Sequence, residues 1–237
     1  MKGMTSPAAP TPSARAVLGL VRHLRDLPEA VQRDLAAIAH RQSFAPGQVI
    51  YLEGEPAEAV YLIASGWVKA TRMSREGREQ AMLFLHAPEV FGDVSVFTGA
   101  PYPGTVIALE PTVVWRLPAA AVLDLTARHP ELALAVIRRL GERILHYVQL
   151  VEDLSLRSVE ARLAGTLLSH AERQPDGQLV VPRRAWTTFD EMATRLGTVR
   201  DVLSRTLHNL EAAGLLEVRR HEIVLRDLPG LEARARQ

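Results

Sequence analysis

Apolar and polar positions repeat on different periods along this chain, and each period predicts a different element. Short apolar runs separated by glycines fill the first half: Gln48–Leu52, Val60–Ile63, Gly66–Thr71, Gln80–Leu85, Thr105–Leu109 and Thr112–Leu117. They predict short strands, with Gly47, Gly54, Gly66, Gly77, Gly92 and Gly104 as punctuation. Many short strands joined by regular turns predict a β-sandwich or jelly roll. Ahead of them, residues 17–39 have helical spacing broken at Pro28, which predicts two short helices. After Pro130 the period changes. Ile137, Leu140, Ile144, Tyr147, Val151 and Leu154 are spaced 3, 4, 3, 4, 3 along a long helix. That is a heptad seam, and β-branched residues at its first position favour a parallel two-stranded coil. The alternative is a helix buried against its own domain. The unbroken register favours a dimer interface made of these six residues.

Residues 188–213 read as two helices joined by a tight turn. Thr188 and Glu191 form a capping box, and Gly197 is a left-handed stop. Thr198 is expected to cap the second helix, with Asp201 reaching back. At about 100° per residue, with Arg200 at zero, Asp201, Ser204, Arg205 and His208 fall within about 140° of one another. Val199, Val202, Leu203, Thr206, Leu207 and Leu210 fall on the opposite face. One face docks and the other is polar near the N-terminal end, where a recognition helix meets base edges. Arginine can donate twice to guanine, and a carboxylate can accept from the cytosine amino group. Residues 214–225 then predict two strands around a turn at Arg220-His221, with Leu179–Val181 as a third strand. A hairpin after such a helix is a wing, and it places Arg219 and Arg220 where phosphate can be met.

Composition narrows the reading. The 237 residues suffice for two domains, and 47% hydrophobic content supports two cores. Net charge is only +1, and from Ser158 onward 12 arginines face 11 acidic residues, with no lysine. Nonspecific phosphate attraction is therefore modest, and local arginine placement must do the positioning. The chain has no cysteine, which excludes disulfides and a cysteine-ligated iron–sulfur cluster and fits a cytoplasmic location. No apolar run approaches membrane-spanning length, so no membrane partner is expected. No nucleophile–base pair or His-x-His metal motif stands out, so an enzyme is not expected. The expected organisation is a disordered tail (1–16), a jelly-roll sensor (17–128), a dimerisation helix with a hinge (129–157) and a winged helix-turn-helix domain (158–237). The fold class is α+β.

Pro46-Gly47, Gly54-Glu55, Tyr61-Leu-Ile63, Ser65-Gly66 and Phe91-Gly92-Asp93 match the glycine spacing of a cyclic-nucleotide-binding jelly roll. With the winged helix behind it, the chain resembles the CRP/FNR family of bacterial transcription regulators over roughly residues 20–226. The resemblance implies a homodimer on double-stranded DNA, with Arg200, Asp201 and Arg205 as base readers. It implies that Ser204 is the serine of a Ser-Arg pair common in one branch of the family, and that the heads switch about a joint at residues 154–158. Thr188, Thr198 and Val199 flank this surface, and the threonines can hold phosphate. RNA polymerase as a partner and activation of transcription follow from the resemblance alone.

The effector region departs from the family. Cyclic-nucleotide binders carry Gly-Glu and, about ten residues on, Arg-Ser. Here Gly92-Asp93 has a shorter acid, and Pro103-Gly104-Thr105 offers no arginine. A buried phosphodiester would lack its cation. The dimer helix offers Tyr147-Val148 where cyclic-AMP receptors offer Thr-Ser, so cyclic AMP is not the expected effector. Gly92, Asp93 and Tyr147 remain candidates for an effector pocket. Haem held through His86, His129 or His146 is one alternative, and a dimer acting on a protein partner is another. The favoured reading, over an unknown small-molecule effector, is a pocket filled by its own side chains, with DNA bound without a ligand.

Overall fold

The computed structural model describes residues 11–75, 77, 79–183 and 187–236. In chain order the elements are α1 (Ala14–Leu18), α2 (Glu29–Ala37), β1 (His40–Phe44), β2 (Val49–Tyr51), β3 (Ala59–Ser65), β4 (Trp67–Met73), β5 (Glu79–His86) and β6 (Val90–Phe91). Next come α3 (Asp93–Thr98), β7 (Thr105–Ala108), β8 (Thr112–Pro118), α4 (Ala119–Arg128) and α5 (Pro130–Leu156). The last are α6 (Val159–Ser169), β9 (Glu172–Arg173), β10 (Leu179–Pro182), α7 (Phe189–Leu196), α8 (Arg200–Ala212), β11 (Leu216–Val218), β12 (Glu222–Leu225) and α9 (Leu228–Ala235). The chain divides into two compact units, residues 1–72 with 83–142 and residues 73–82 with 143–237. No helix among the described residues is long and apolar enough to cross a membrane.

The first unit is built on two four-stranded sheets, ordered β1-β8-β3-β6 and β2-β7-β4-β5. β3 shows why the layers form. Side chains alternate across a strand. Ala59, Tyr61 and Ile63 join the core between the sheets, with Val68, Leu85, Val106 and Val114. Val60, Leu62 and Ala64 face the other way, into a helical layer with Val17, Leu18, Val31, Leu35, Val122, Leu125 and Leu132. β3 is buried on both faces, so its apolar run is continuous rather than alternating. α1 begins at Ala14, inside the expected tail, and buries Val17 and Leu18. The first ten residues of that tail lie outside the described residues. The pattern also missed β1, β6, α3 and α4. α4 buries Val122 and Leu125, three apart on one face.

Gly66 makes the corner between β3 and β4 at φ 94°, and a Cβ there would lie 2.4 Å from Thr112 Oγ1 and 2.8 Å from the Pro111 carbonyl. Gly66→Ala is expected to destabilise this unit by about 2 kcal/mol through backbone strain and overlap, read as a lower denaturant midpoint. An unchanged midpoint would remove the steric argument.

The second unit packs α6, α7, α8 and α9 on an antiparallel sheet ordered β11-β12-β10-β9. Leu163, Leu167, Leu203, Leu207, Leu210, Ile223 and Leu231 form its core. The hairpin and its third strand are where the pattern predicts them. α6 stops at Ser169, and Glu172–Arg173 pairs with β10. The polar terminus is helical and integral: Leu231 of α9 is fully buried, and Arg234 donates to Glu160 of α6 at 2.7 Å.

Candidate nucleic-acid interface

α7 starts as its sequence dictates. Thr188 is the N-cap, and its hydroxyl accepts from the Glu191 amide at 3.2 Å. It ends at Gly197, φ 62°, where the Thr198 amide turns back to the Ala193 carbonyl at 3.0 Å. That closure carries Thr198 out of the next helix. The N-cap of α8 is Val199, extended at φ −110° and ψ 155°, with no side-chain cap. This corrects the expectation that Thr198 caps α8. The Val199 carbonyl accepts the first helical bond, from Leu203 at 3.1 Å. The amides of the first turn of α8 therefore have no side chain folded onto them, the arrangement in which a helix N-terminus meets phosphate.

Along α8 the two faces separate as the period predicts. Leu203, Thr206, Leu207 and Leu210 are buried, whereas Arg200, Asp201, Ser204, Arg205 and His208 are exposed. Val199 is 59% exposed beside them. Thr206 is reconciled to the core by donating to the Val202 carbonyl at 2.8 Å. Arg200 is oriented by Asp190 of α7, with Nη1 3.4 Å from Oδ2. Both partners are largely exposed, so the pair is worth at most about 1 kcal/mol and yields readily to a stronger partner. Asp190 was not singled out in the sequence, because the pairing depends on the angle between two helices.

In the wing, Arg219 is paired with acids of its own hairpin. Its guanidinium lies 2.8 Å from Glu217 and 2.9 Å from Glu222 of the same hairpin, and Arg226 also binds Glu217. The hydrogen bonds from Arg219 and Arg226 hold the Glu217 carboxyl down to about 2. The cluster is thus fully formed above the ordinary carboxylate range and is lost only as pH falls through that value. Arg220, one residue on, is exposed. Arg183 braces the hairpin, donating to the Arg219 and Thr187 carbonyls at 3.3 and 3.4 Å and lying over the Phe189 ring. Arg220→Ala is therefore expected to weaken DNA binding almost equally for all sequences and to reduce the salt slope by about 1. Arg219→Ala should leave that slope nearly unchanged. Titrations at several salt concentrations check the contrast, and equal slopes for the two variants would refute it.

In the first unit, the space between the sheets is occupied by aromatic rings. Tyr51 and Tyr102 stack with centroids 3.6 Å apart, and Tyr61 and Phe91 stack at 5.0 Å. The Tyr102 hydroxyl accepts from the Ala59 amide at 3.2 Å and donates to the Ala59 carbonyl at 2.8 Å. Burial holds that hydroxyl well above the ordinary phenol range. Gly92, φ 80°, lies so close that a Cβ would meet the Ala59 carbonyl at 2.9 Å. At Gly104 a Cβ would meet the Thr71 carbonyl at 2.7 Å, so no side chain of any kind fits there. Asp93 is buried, 4.0 Å from Arg139. Tyr147 belongs to the second unit, whereas Gly92 and Asp93 belong to the first, so no single unit assembles the three candidate pocket residues. The histidines considered for haem have separate surroundings. His86 lies against Trp67, His129 between Asp34 and Glu131, and His146 near the Met82 carbonyl.

Comparison with known proteins follows this division. A cyclic nucleotide-binding domain model matches residues 41–129, and a Crp-like helix-turn-helix domain model matches residues 161–234. A cyclic AMP receptor protein of Thermus thermophilus is 30% identical over 209 residues, covering 86% of this chain and 92% of that protein. The chain belongs to the CRP/FNR family of transcription regulators. A global nitrogen regulator of Synechococcus elongatus is 27% identical over 190 residues, covering 78% of this chain and 84% of that one. Among solved structures, FixK2 of Bradyrhizobium japonicum superposes with a TM-score of 0.72 at 23% identity, covering 83% of this chain and 97% of that one. In this CRP/FNR regulator the helix-turn-helix is α7, the Gly197 turn and α8. The cyclic-nucleotide-binding-type domain is the pair of sheets around the four rings.

Proposed function

We propose that this CRP/FNR regulator binds a gapped palindromic DNA site as a homodimer and is competent to do so without a cyclic nucleotide. The observation that carries the DNA reading is the polar face of α8. Four side chains able to read bases or hold phosphate, Arg200, Asp201, Ser204 and Arg205, are exposed together beside an N-terminus without a side-chain cap. The homodimer is supported by α5, where Ile137, Ile144 and Val151 are each more than 60% exposed in the single chain and repeat every seven residues. Parallel pairing about that seam puts two copies of α8 in successive major grooves, ~34 Å apart. Arg200 and Arg205 each favour guanine. Asp201 is one methylene shorter than the family's glutamate and reads cytosine at closer range or aligns an arginine. Activation through RNA polymerase is the outcome that the family resemblance implies.

Independence from cyclic nucleotide is supported by the stacked rings and by Gly104. The interior that a nucleotide would need is occupied, and the turn that would offer an arginine to its phosphate has no room for one. Some relatives are described by the nucleotide they answer to, cyclic AMP for one in Mycobacterium tuberculosis and c-di-GMP for one in Xanthomonas campestris. Those descriptions hold for those proteins.

The experiment is DNA selection from a random library, using ligand-stripped protein at fixed near-physiological salt. A gapped palindrome with guanine at the Arg200 and Arg205 positions is the expected product. Arg200→Ala and Arg205→Ala should each lose about 1–3 kcal/mol and relax one base pair per half-site. No enrichment from a folded dimer would overturn ligand independence. Enrichment that neither variant alters would overturn the assignment of the base readers.

A further inference from the structure

Arg200 is the first residue of α8, at the positive end of that helix. A cation there is unfavourable unless an anion or acceptor stands beside it. On DNA, phosphate and base edges supply one. In the free protein the anion is Asp190, the second residue of α7, whose Oδ2 lies 3.4 Å from Arg200 Nη1 across the Gly197 turn. The two side chains are largely exposed, so the pair sits at the surface with Asp201, Ser204 and Arg205 rather than in the core. Glu191 shares the first turn of α7, so that helix end has an acid without Asp190.

A guanidinium carries five N–H donors in a planar fork. Asp190 engages Nη1 at one corner. The opposite edge, Nε with Nη2, keeps the two parallel donors that guanine O6 and N7 require. We propose that Asp190 is a positioning residue for base recognition, holding Arg200 so that this edge meets guanine and opposing its transfer to phosphate. The role rests on the proposed contact of Arg200 with guanine. An arginine held at one corner has less side-chain freedom to lose on meeting a base. An arginine drawn to a phosphate must leave Asp190, whose bare carboxylate then faces the polyanion. Such a residue suits a unit whose charge nearly balances, 12 arginines against 11 acidic residues from Ser158 onward. Its affinity depends on correct contacts more than on bulk attraction.

The test is fluorescence anisotropy of the full-length protein on three duplexes at several salt concentrations. They are the selected palindrome, the same palindrome with the Arg200 guanine replaced in both half-sites, and mixed-sequence DNA. Asp190→Asn keeps the size of the side chain and removes its charge. It should bind mixed-sequence DNA about 3–10-fold more tightly, with a salt slope steeper by about 1 per protomer. It should also lower discrimination for guanine by about 2–5-fold per half-site. In an Arg200→Ala background the same change should leave discrimination at that position unaltered, because no guanidinium remains to be held. A purely structural acid would lower the melting temperature and leave slope and discrimination where they were, and that result overturns the proposal. Should selection enrich no palindrome, the slope on mixed-sequence DNA decides: a steeper slope sustains the role of Asp190 and an unchanged one overturns it. Full discrimination by Arg200→Ala overturns the base-reader assignment instead. Loss of discrimination by Arg200→Ala beside full discrimination by Asp190→Asn overturns the role of Asp190 alone.

Discussion

Ile144→Glu is expected to give a folded monomer of 26.1 kDa that no longer retains a full palindromic site. Ile144 sits at the centre of the heptad seam and is 63% exposed in the single chain, so its side chain contributes little to the protomer's own core. In the proposed homodimer a second copy buries it. Burying such a side chain is worth about 1.5–3 kcal/mol, and two-fold symmetry counts it twice. Glutamate there sets two carboxylates against each other in an apolar seam, with desolvation added to like-charge repulsion. The effect on DNA is larger than the effect on either half-site. A dimer binds its second half-site intramolecularly, and losing that linkage lowers affinity by about 10²–10⁴-fold. Light scattering on an eluting peak reads the mass, and titration of full and half-sites reads the affinity ratio. Thermal unfolding of the monomer should move little, because exposed positions shift stability by about 0.5 kcal/mol or less. Ile144→Val, which keeps the β-branch, should remain dimeric. A dimeric Ile144→Glu would place the interface elsewhere.

The long helix α5 and the two faces of α8 could be read from sequence because their evidence is local and periodic. Six positions spaced by threes and fours define one helix face without reference to anything distant. The polar arc of α8 follows in the same way from Arg200, Asp201, Ser204 and Arg205. The features that escaped depend on contacts between distant segments. Tyr51, Tyr61, Phe91 and Tyr102 come from four separate stretches, and only the closing of the sheets brings the rings together. The pairing of Arg219 escaped because two flanking acids on a hairpin cannot be told from solvated ones until the turn is closed. The shift of the α8 cap from Thr198 to Val199 is one residue, set by how the amide after Gly197 closes the preceding helix. α4 was hidden by position, since it begins at Ala119 directly after β8 ends at Pro118, with no loop between them.

The aromatic interior gives the second large effect. Tyr102→Ala is expected to cost about 3–5 kcal/mol, because it removes a buried ring and leaves a void that stiff strands collapse into poorly. It also strips the Ala59 amide and carbonyl of the hydroxyl they share, at 3.2 and 2.8 Å. Tyr102→Phe separates the two contributions. It keeps the stack on Tyr51 and loses only the hydroxyl, at about 1–3 kcal/mol. For a unit of this size, Tyr102→Ala should lower the melting temperature by about 10 °C, with Tyr102→Phe between it and the parent. Equal melting of all three would show that the ring is not structural. Calorimetric titration with cyclic AMP decides what the ring does for function. The parent should show no saturable heat, because the interior is filled. Tyr102→Ala should show none either, because the opened space contains no cation for the phosphate, and Gly104 cannot be replaced by one while Thr71 stays where it is. Saturable binding by the parent would mean that the stacked rings part for the nucleotide. Binding gained only by Tyr102→Ala would mean that the ring alone excludes it, and that the turn at Gly104 is not the barrier its packing indicates.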